Sequence, residues 1–295
     1  MKNNSLLSHR TREPESSVLY LVGTPIGNLN DISQRALNIL KNVSLIACED
    51  TRETKKIMNK FDISNYLLSF NKHNSLSKTP RIIKDLKDGK SIAIVSDAGM
   101  PGICDPGEDL VKAAKSEGFD VICIPGACAA ITALVSSGMP SSNFIFEGFL
   151  PRKKSERDKT LLEISNNEKT TIIFESPHRL KRLLEELNDF CGGDREIEVA
   201  RELTKQFEEH IGKNISNAIS YFEDKEVMGE ITIVIKGVDK KKEIVFNESN
   251  LKRDLNELIE AGLSLPSASK YLAKKNGIKK SLIYNLSKND QIKNI

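Results

Sequence analysis

Short apolar runs alternate with amphipathic stretches along most of the chain. Residues 18–22, 43–47, 66–70, 91–95 and 121–124 are nearly continuous apolar runs, with the length and composition of strands buried on both faces. Between them, residues 34–41, 51–61, 76–87 and 108–117 carry apolar residues at three- and four-residue spacing, which predicts helices. This alternation predicts a mainly parallel sheet covered on both faces. Residues 127–137, rich in small side chains, form a helix that closes the first unit.

A second unit follows, with strands expected at 144–149, 171–175, 196–200 and 230–236 and helices at 157–164, 178–187 and 216–223. Residues 239–250 read as a polar, Lys-rich connector. Beyond them the strand pattern stops, and 251–260, 267–275 and 280–287 have the spacing of short helices, with Gly277 as the residue just past the middle one. The expected organisation is a disordered lead-in over 1–17, an α/β domain over 18–142, a second over 143–238, a linker over 239–250 and a helical tail over 251–295. Two short helices around Gly277 match helix-turn-helix geometry, and Lys279 and Lys280 beside them suit backbone phosphates.

A hydrophobic content of 39% with 29% charged residues describes a folded chain rather than a disordered one. No apolar run approaches the roughly 20 residues of a membrane span. The polar start lacks the apolar core of a secretory signal. Five cysteines, at 48, 104, 123, 128 and 191, include no C-x-x-C pair, which speaks against a disulfide framework or a zinc site. Cys123 lies in an apolar run and is expected as a buried, reduced thiol, with the cytoplasm as the compartment.

The net charge of +3 is unevenly divided. From Asp239 onward twelve Lys/Arg face seven Asp/Glu, whereas the preceding residues hold 32 against 34. The basic excess sits in the tail, which suggests an acidic partner or a solvated Lys-rich surface. A second basic cluster, Arg152, Lys153, Lys154 and Arg157, surrounds one acid and follows the Pro151 break. It suits phosphate contact, or alternatively a solvated helix start.

The loops after the strands carry the chemistry, because ligands of open α/β sheets gather at the carboxyl ends of strands. Gly23-Thr-Pro-Ile-Gly-Asn-Leu29 follows the first strand, and it matches neither the dinucleotide nor the phosphate-loop glycine pattern. Ser96-Asp-Ala-Gly-Met-Pro-Gly-Ile-Cys-Asp-Pro-Gly107 follows the fourth, and its Gly, Pro and Asp content marks a shaped loop with exposed amides. Pro125-Gly-Ala-Cys-Ala-Ala130 follows the fifth and leaves room for a flat ligand or for tight helix packing. Together the three loops favour a binding cleft.

These phrases, with Glu49-Asp-Thr-Arg52, Glu147-Gly-Phe-Leu-Pro-Arg-Lys153, Phe174-Glu-Ser-Pro-His-Arg179 and Ala200-Arg-Glu-Leu-Thr-Lys205, resemble the tetrapyrrole methylase superfamily. Within it the chain looks closest to the family that methylates the ribose 2′-hydroxyl of a decoding-centre cytidine in 16S rRNA of the small ribosomal subunit. Met100, where Thr is usual, and Gly102-Ile-Cys104 depart from the family pattern. The resemblance implies two α/β domains of the tetrapyrrole methylase type with a cleft between them, a small helix-turn-helix-like tail, and a homodimer. It also implies S-adenosylmethionine as cofactor, with contacts from Ile26, Ser96, Asp97, Gly99, Met100, Ile103, Cys128, Ala129, Phe174, Ala200 and Glu230.

A ribose hydroxyl is a poor nucleophile and gains from a proton acceptor or a nearby cation. Glu49 and Asp50 after the second strand, and Glu202 and Lys205 after the strand at 196–200, are the candidates. Asp50 ranks first and Lys205 second, with a structural salt bridge as the competing role for each. His178, next to Pro177, is a possible base or phosphate contact. No metal is expected. A small-molecule tetrapyrrole or corrin methylase and a non-catalytic RNA-binding relative are the alternative functions.

Overall fold

The computed structural model describes residues 12–239, 248–276 and 283–284. The chain divides into two compact units, Met1–Val238 and Asp239–Ile295.

The larger unit holds two five-stranded sheets. The first comprises β1 (Val18–Val22), β2 (Leu45–Cys48), β3 (Leu67–Ser69), β4 (Ile92–Val95) and β5 (Asp120–Ile124), in the order β3-β2-β4-β1-β5. Every pairing in it is parallel. Its connections are α1 (Gln34–Asn42), α2 (Thr51–Lys60), α3 (Ser75–Lys87) and α4 (Glu108–Ser116). Successive side chains of a strand point to opposite faces, and both faces are apolar. Tyr20, Ile46 and Ala93 pack with Ile39 and Leu40 of α1 on one side. Leu19, Leu45 and Ile94 pack with Ile82 of α3 and Leu110 of α4 on the other. The expected parallel sheet is thereby observed.

The second sheet comprises β6 (Phe144–Phe149), β7 (Thr170–Glu175), β8 (Ile197–Arg201), β9 (Glu209–Gly212) and β10 (Ile231–Ile235), ordered β6-β7-β10-β8-β9. Only β6 and β7 run parallel, and the other pairings are antiparallel. Helices α6 (Lys154–Asn166), α7 (Pro177–Cys191) and α8 (Ile215–Phe222) cover one face, where Leu180, Leu183, Leu184 and Leu187 meet Ile173, Val199 and Ile233. The opposite face receives α5 (Ala129–Ser137), whose Ala130, Ala133 and Leu134 pack on Ile172, Ala200 and Val234. Thus α5 leaves the first sheet in sequence and packs on the second. Its small side chains permit that close approach, and Gly138 ends it in a left-handed turn.

Two sequence expectations need correction. The strand β9 was not anticipated, because Glu209-His-Ile-Gly212 is polar and only Ile211 reaches the core. Cys123 is exposed rather than buried, because β5 is an edge strand.

In the smaller unit α9 (Glu248–Glu260) and α10 (Leu265–Asn276) pack through Leu255, Ala268 and Leu272, with Ile283 completing the cluster. The residues 277–282 and 285–295, including Gly277, Lys279 and Lys280, lie outside the described residues, as do 1–11 of the expected lead-in and 240–247 of the connector. Among the described residues no helix is long and apolar enough to cross a membrane.

Candidate active site

The neighbouring strands β4, β1 and β5 end side by side, so their three loops converge. The loop after β1 joins the loop after β4 by a backbone bridge. The Thr24 N–H donates to the Gly99 carbonyl at 2.8 Å, and the Gly99 N–H donates back at 3.1 Å. Gly99 has φ +79°, a conformation that favours glycine. The loop after β5 comes still closer: a Cβ placed on Gly126 would lie 2.7 Å from the Gly23 Cα. Buried Ser96 shapes the second loop, its Oγ donating to the Ala98 carbonyl at 3.1 Å.

These loops face the ends of β7 and β10 across a cavity of about 480 Å³, within the usual range of ligand pockets. One wall presents the 97–105 loop, and Ile26, Cys128 and Ala129 add an apolar surface. The other wall includes Phe149 and Phe174, whose rings meet edge to face with centroids 5.8 Å apart. Glu49, Asp97 and Asp105 bring three carboxylates to the same cavity. Burial pushes the Glu49 carboxyl above its usual range, and the nearby charges of Asp105 and Asp97 add to the effect. Asp105 and Asp97 are raised chiefly by burial too. Among the described residues no group of three or more His, Cys, Asp or Glu could hold a metal ion.

Of the residues expected at the cofactor, Ile26, Asp97, Gly99, Met100, Ile103, Cys128, Ala129, Phe174 and Glu230 line the cavity. Ser96 and Ala200 do not. Ser96 sits beneath its loop, and Ala200 is fully buried against α5. The sequence reading missed Asp105, Phe149, Ser176 and Thr232 as lining residues. Phe149 and Ser176 belong to the family-like phrases at 147–153 and 174–179, whereas Thr232 is hidden in an ordinary apolar strand.

The three residues expected to carry catalysis stand outside that lining. Asp50 is the N-cap of α2 and accepts from the Arg52 N–H at 2.8 Å, while its carboxylate also grips the Arg52 guanidinium. Those bonds hold its pKa at about 2, so Asp50 is a poor proton acceptor. Lys205 donates from Nζ to Glu202 Oε1 at 2.9 Å and to Glu230 Oε2 at 2.8 Å, so it braces a cavity-lining residue instead of entering the cavity. Burial disfavours its charge, but the two carboxylates outweigh that and raise its pKa. Burial likewise opposes the charge of Glu202, and the Glu230 N–H and the Lys205 ammonium overcome it, giving a net lowering. The brace touches the first loop as well: a Cβ on Gly27 would lie 2.5 Å from the Lys205 Cγ.

The basic 152–157 segment splits. Arg152, Lys153 and Lys154 are exposed, with Lys153 paired to Glu156 at 2.9 Å. Arg157 is buried at 3% exposure, which overturns its expected place on the surface. It lies on the inner face of α6, where its Nε donates to Glu186 Oε2 at 2.6 Å. His178 stands in the first turn of α7.

The sequence profile of the Tetrapyrrole (Corrin/Porphyrin) Methylases matches residues 18–218. A protein of Synechocystis sp. named ribosomal RNA small subunit methyltransferase I is 43% identical over 92% of this chain and 97% of its own length. The Bacillus subtilis protein of the same name is 41% identical over 92% of this chain and 94% of its own. Among solved structures, cobalt precorrin-4 methyltransferase superposes with a TM-score of 0.58 at 16% identity, covering 79% of this chain and 98% of that one. Uroporphyrin-III C-methyltransferase of Thermus thermophilus, complexed with S-adenosylhomocysteine, gives 0.53 at 14% identity over 73% and 96%. The structural likeness establishes the fold, while the sequence identity reaches further: the chain belongs to the tetrapyrrole methylase family and, within it, to the ribosomal RNA small subunit methyltransferase I family.

Proposed function

We propose that the protein transfers the methyl group of S-adenosylmethionine to the ribose 2′-hydroxyl of a decoding-centre cytidine in 16S rRNA of the small ribosomal subunit. The observation that carries the reading is a cavity that sets loop backbone and carboxylates beside apolar and aromatic side chains. A cofactor with a polar amino-acid end, a ribose and a flat base fits such a mixed lining. Asp97 and Asp105 would accept from its hydroxyl and ammonium groups, the 99–103 backbone would meet its polar edges, and Ile26, Cys128, Ala129 and Phe174 would enclose its base. When bound, it supplies a methyl carried on a sulfonium.

The protein's own contribution is positioning and proton management. Glu49, whose carboxyl burial keeps unusually basic, takes the hydroxyl proton as the ribose oxygen attacks. Lys205 is a positioning residue, holding Glu202 and Glu230 at the cavity rim. Arg152, Lys153, Lys154 and the Lys-rich tail with Lys279 and Lys280 grip RNA phosphates. The protein works as a homodimer in the cytoplasm. Support for the dimer comes from α5, which exposes Ile131 and Val135 one turn apart.

The test is incubation with labelled S-adenosylmethionine and small subunits from cells lacking the protein. Label recovered as a 2′-O-methylated cytidine of 16S rRNA is expected. Label on a tetrapyrrole alone, or RNA binding without transfer, would overturn the reading.

A further inference from the structure

Beside the cofactor cavity lies a second one, of about 670 Å³, lined by Arg152, Arg157, Arg179 and Arg182 together with Phe149 and Ser176. Phe149 and Ser176 also line the first cavity, so the two are neighbours. The four arginines come from two places in the sequence: the start of α6 with its preceding loop, and the first turns of α7.

Their charge is only half balanced. Glu186 accepts from Arg157 Nε at 2.6 Å and from Arg182 Nε at 2.9 Å. Glu175 pairs with Arg179 at 2.5 Å and stands 3.6 Å from Arg157 Nη2. Two carboxylates against four guanidinium groups leave two positive charges in excess. Moreover, Arg157 is 3% exposed, and both of its terminal nitrogens lack a hydrogen-bond partner. A buried guanidinium with unmade bonds is costly unless something supplies acceptors. The amino end of the fifteen-residue α7 adds its positive dipole to the same place, and the Ser176 side chain does not cap it.

We propose that this cavity seats a backbone phosphodiester of the substrate RNA, next to the nucleotide whose ribose enters the cofactor cavity. The inference rests on the RNA methylation reading and deepens it by naming where the strand is held. Arg152 and Arg182, both exposed, supply forks that match the several oxygens of a phosphate, and Arg179, half-buried on Glu175, adds its charge beside them. Arg157 forms the charged floor behind them. An acidic peptide presents isolated planar carboxylates, whereas a cluster of forks around a helix amino end suits a tetrahedral anion.

The test compares the parent protein with the double variant Arg152→Gln, Arg182→Gln. Both side chains are exposed, and Glu186 keeps Arg157 as a partner, so thermal unfolding should match the parent. Affinity for small ribosomal subunits is measured across a range of KCl concentrations, with S-adenosylmethionine affinity and tripolyphosphate binding measured alongside. The expected result is a loss of subunit affinity on the order of tenfold, and a salt slope reduced by about 0.7 for one lost single-strand phosphate contact. S-adenosylmethionine affinity should stay at the parental value. Unchanged subunit affinity and slope would overturn the proposal, and loss of tripolyphosphate binding alone would reassign the cavity to small anions. A parent protein that neither binds nor methylates small subunits would instead sink the RNA reading itself, and this inference with it.

Discussion

The backbone N–H of Asp50 donates to Oδ1 of Asp97 at 2.9 Å, tying the loop after β2 to the loop after β4. The bond anchors Asp97 at the cavity while the Asp50 side chain serves α2 and Arg52. Of two adjacent carboxylates, then, Asp50 is a structural cap and Glu49 meets the cavity. Their proton affinities diverge accordingly, one at about 2 and the other above the usual range.

That divergence sets up a paired substitution. Glu49→Gln should lower the methyl-transfer rate by roughly 10²–10⁴-fold, the usual contribution of a general base, while cofactor binding persists. In the parent, the rate should fall as the pH drops through the raised Glu49 pKa, and this acidic limb should vanish in the variant. Asp50→Ala should keep the limb and lower Tm through the lost cap. A pH–rate profile and thermal melts of both variants check the assignment; an acidic limb that disappears with Asp50 would reverse it.

At Gly126 the fold leaves no space for a side chain, since a methyl would lie 2.7 Å from the Gly23 Cα. Gly126→Ala should therefore destabilise the protein by about 1–3 kcal/mol and spread the loops after β1 and β5. Calorimetric titration with S-adenosylmethionine should show weakened binding even at temperatures where the variant is fully folded.

His210 on β9 lies between Glu198 Oε1 and Glu208 Oε1, each 2.9 Å from a ring nitrogen. Its hydrogen bonds to Glu208 and Glu198 raise its pKa above the ordinary value. A raised folded-state pKa stabilises the protein fully below the unfolded value of about 6.5, and the benefit fades as the pH rises through the folded value. His210→Asn should thus lower Tm most on the acidic side of that window and least above it. A constant offset at every pH would exclude this origin.

Much of the architecture was legible because the strands β1, β2 and β4 are buried on both faces and leave unbroken apolar runs. Strand β9 escaped because an edge strand needs only one inward residue, Ile211. The glycine-rich loops announced the cavity, yet the sequence could not tell Glu49 from Asp50, because a helix cap and a cavity-facing acid are the same residue type one position apart. Arg157 was misplaced for a related reason. A charge run looks solvated, and only the packing of α6 against α7 reveals that its fourth cation turns inward onto Glu186.

The contact between Gly27 and Lys205 constrains how this protein can drift. Because the lysine stem and the Thr204 hydroxyl occupy the space a side chain at 27 would need, change at 27 depends on its neighbours at 204 and 205. A larger residue at 27 would become tolerable only after 205 had shortened, and that first step would release Glu202 and Glu230. The order of permitted changes is thereby biased: a residue larger than glycine at 27 should be found only where 205 is already shorter.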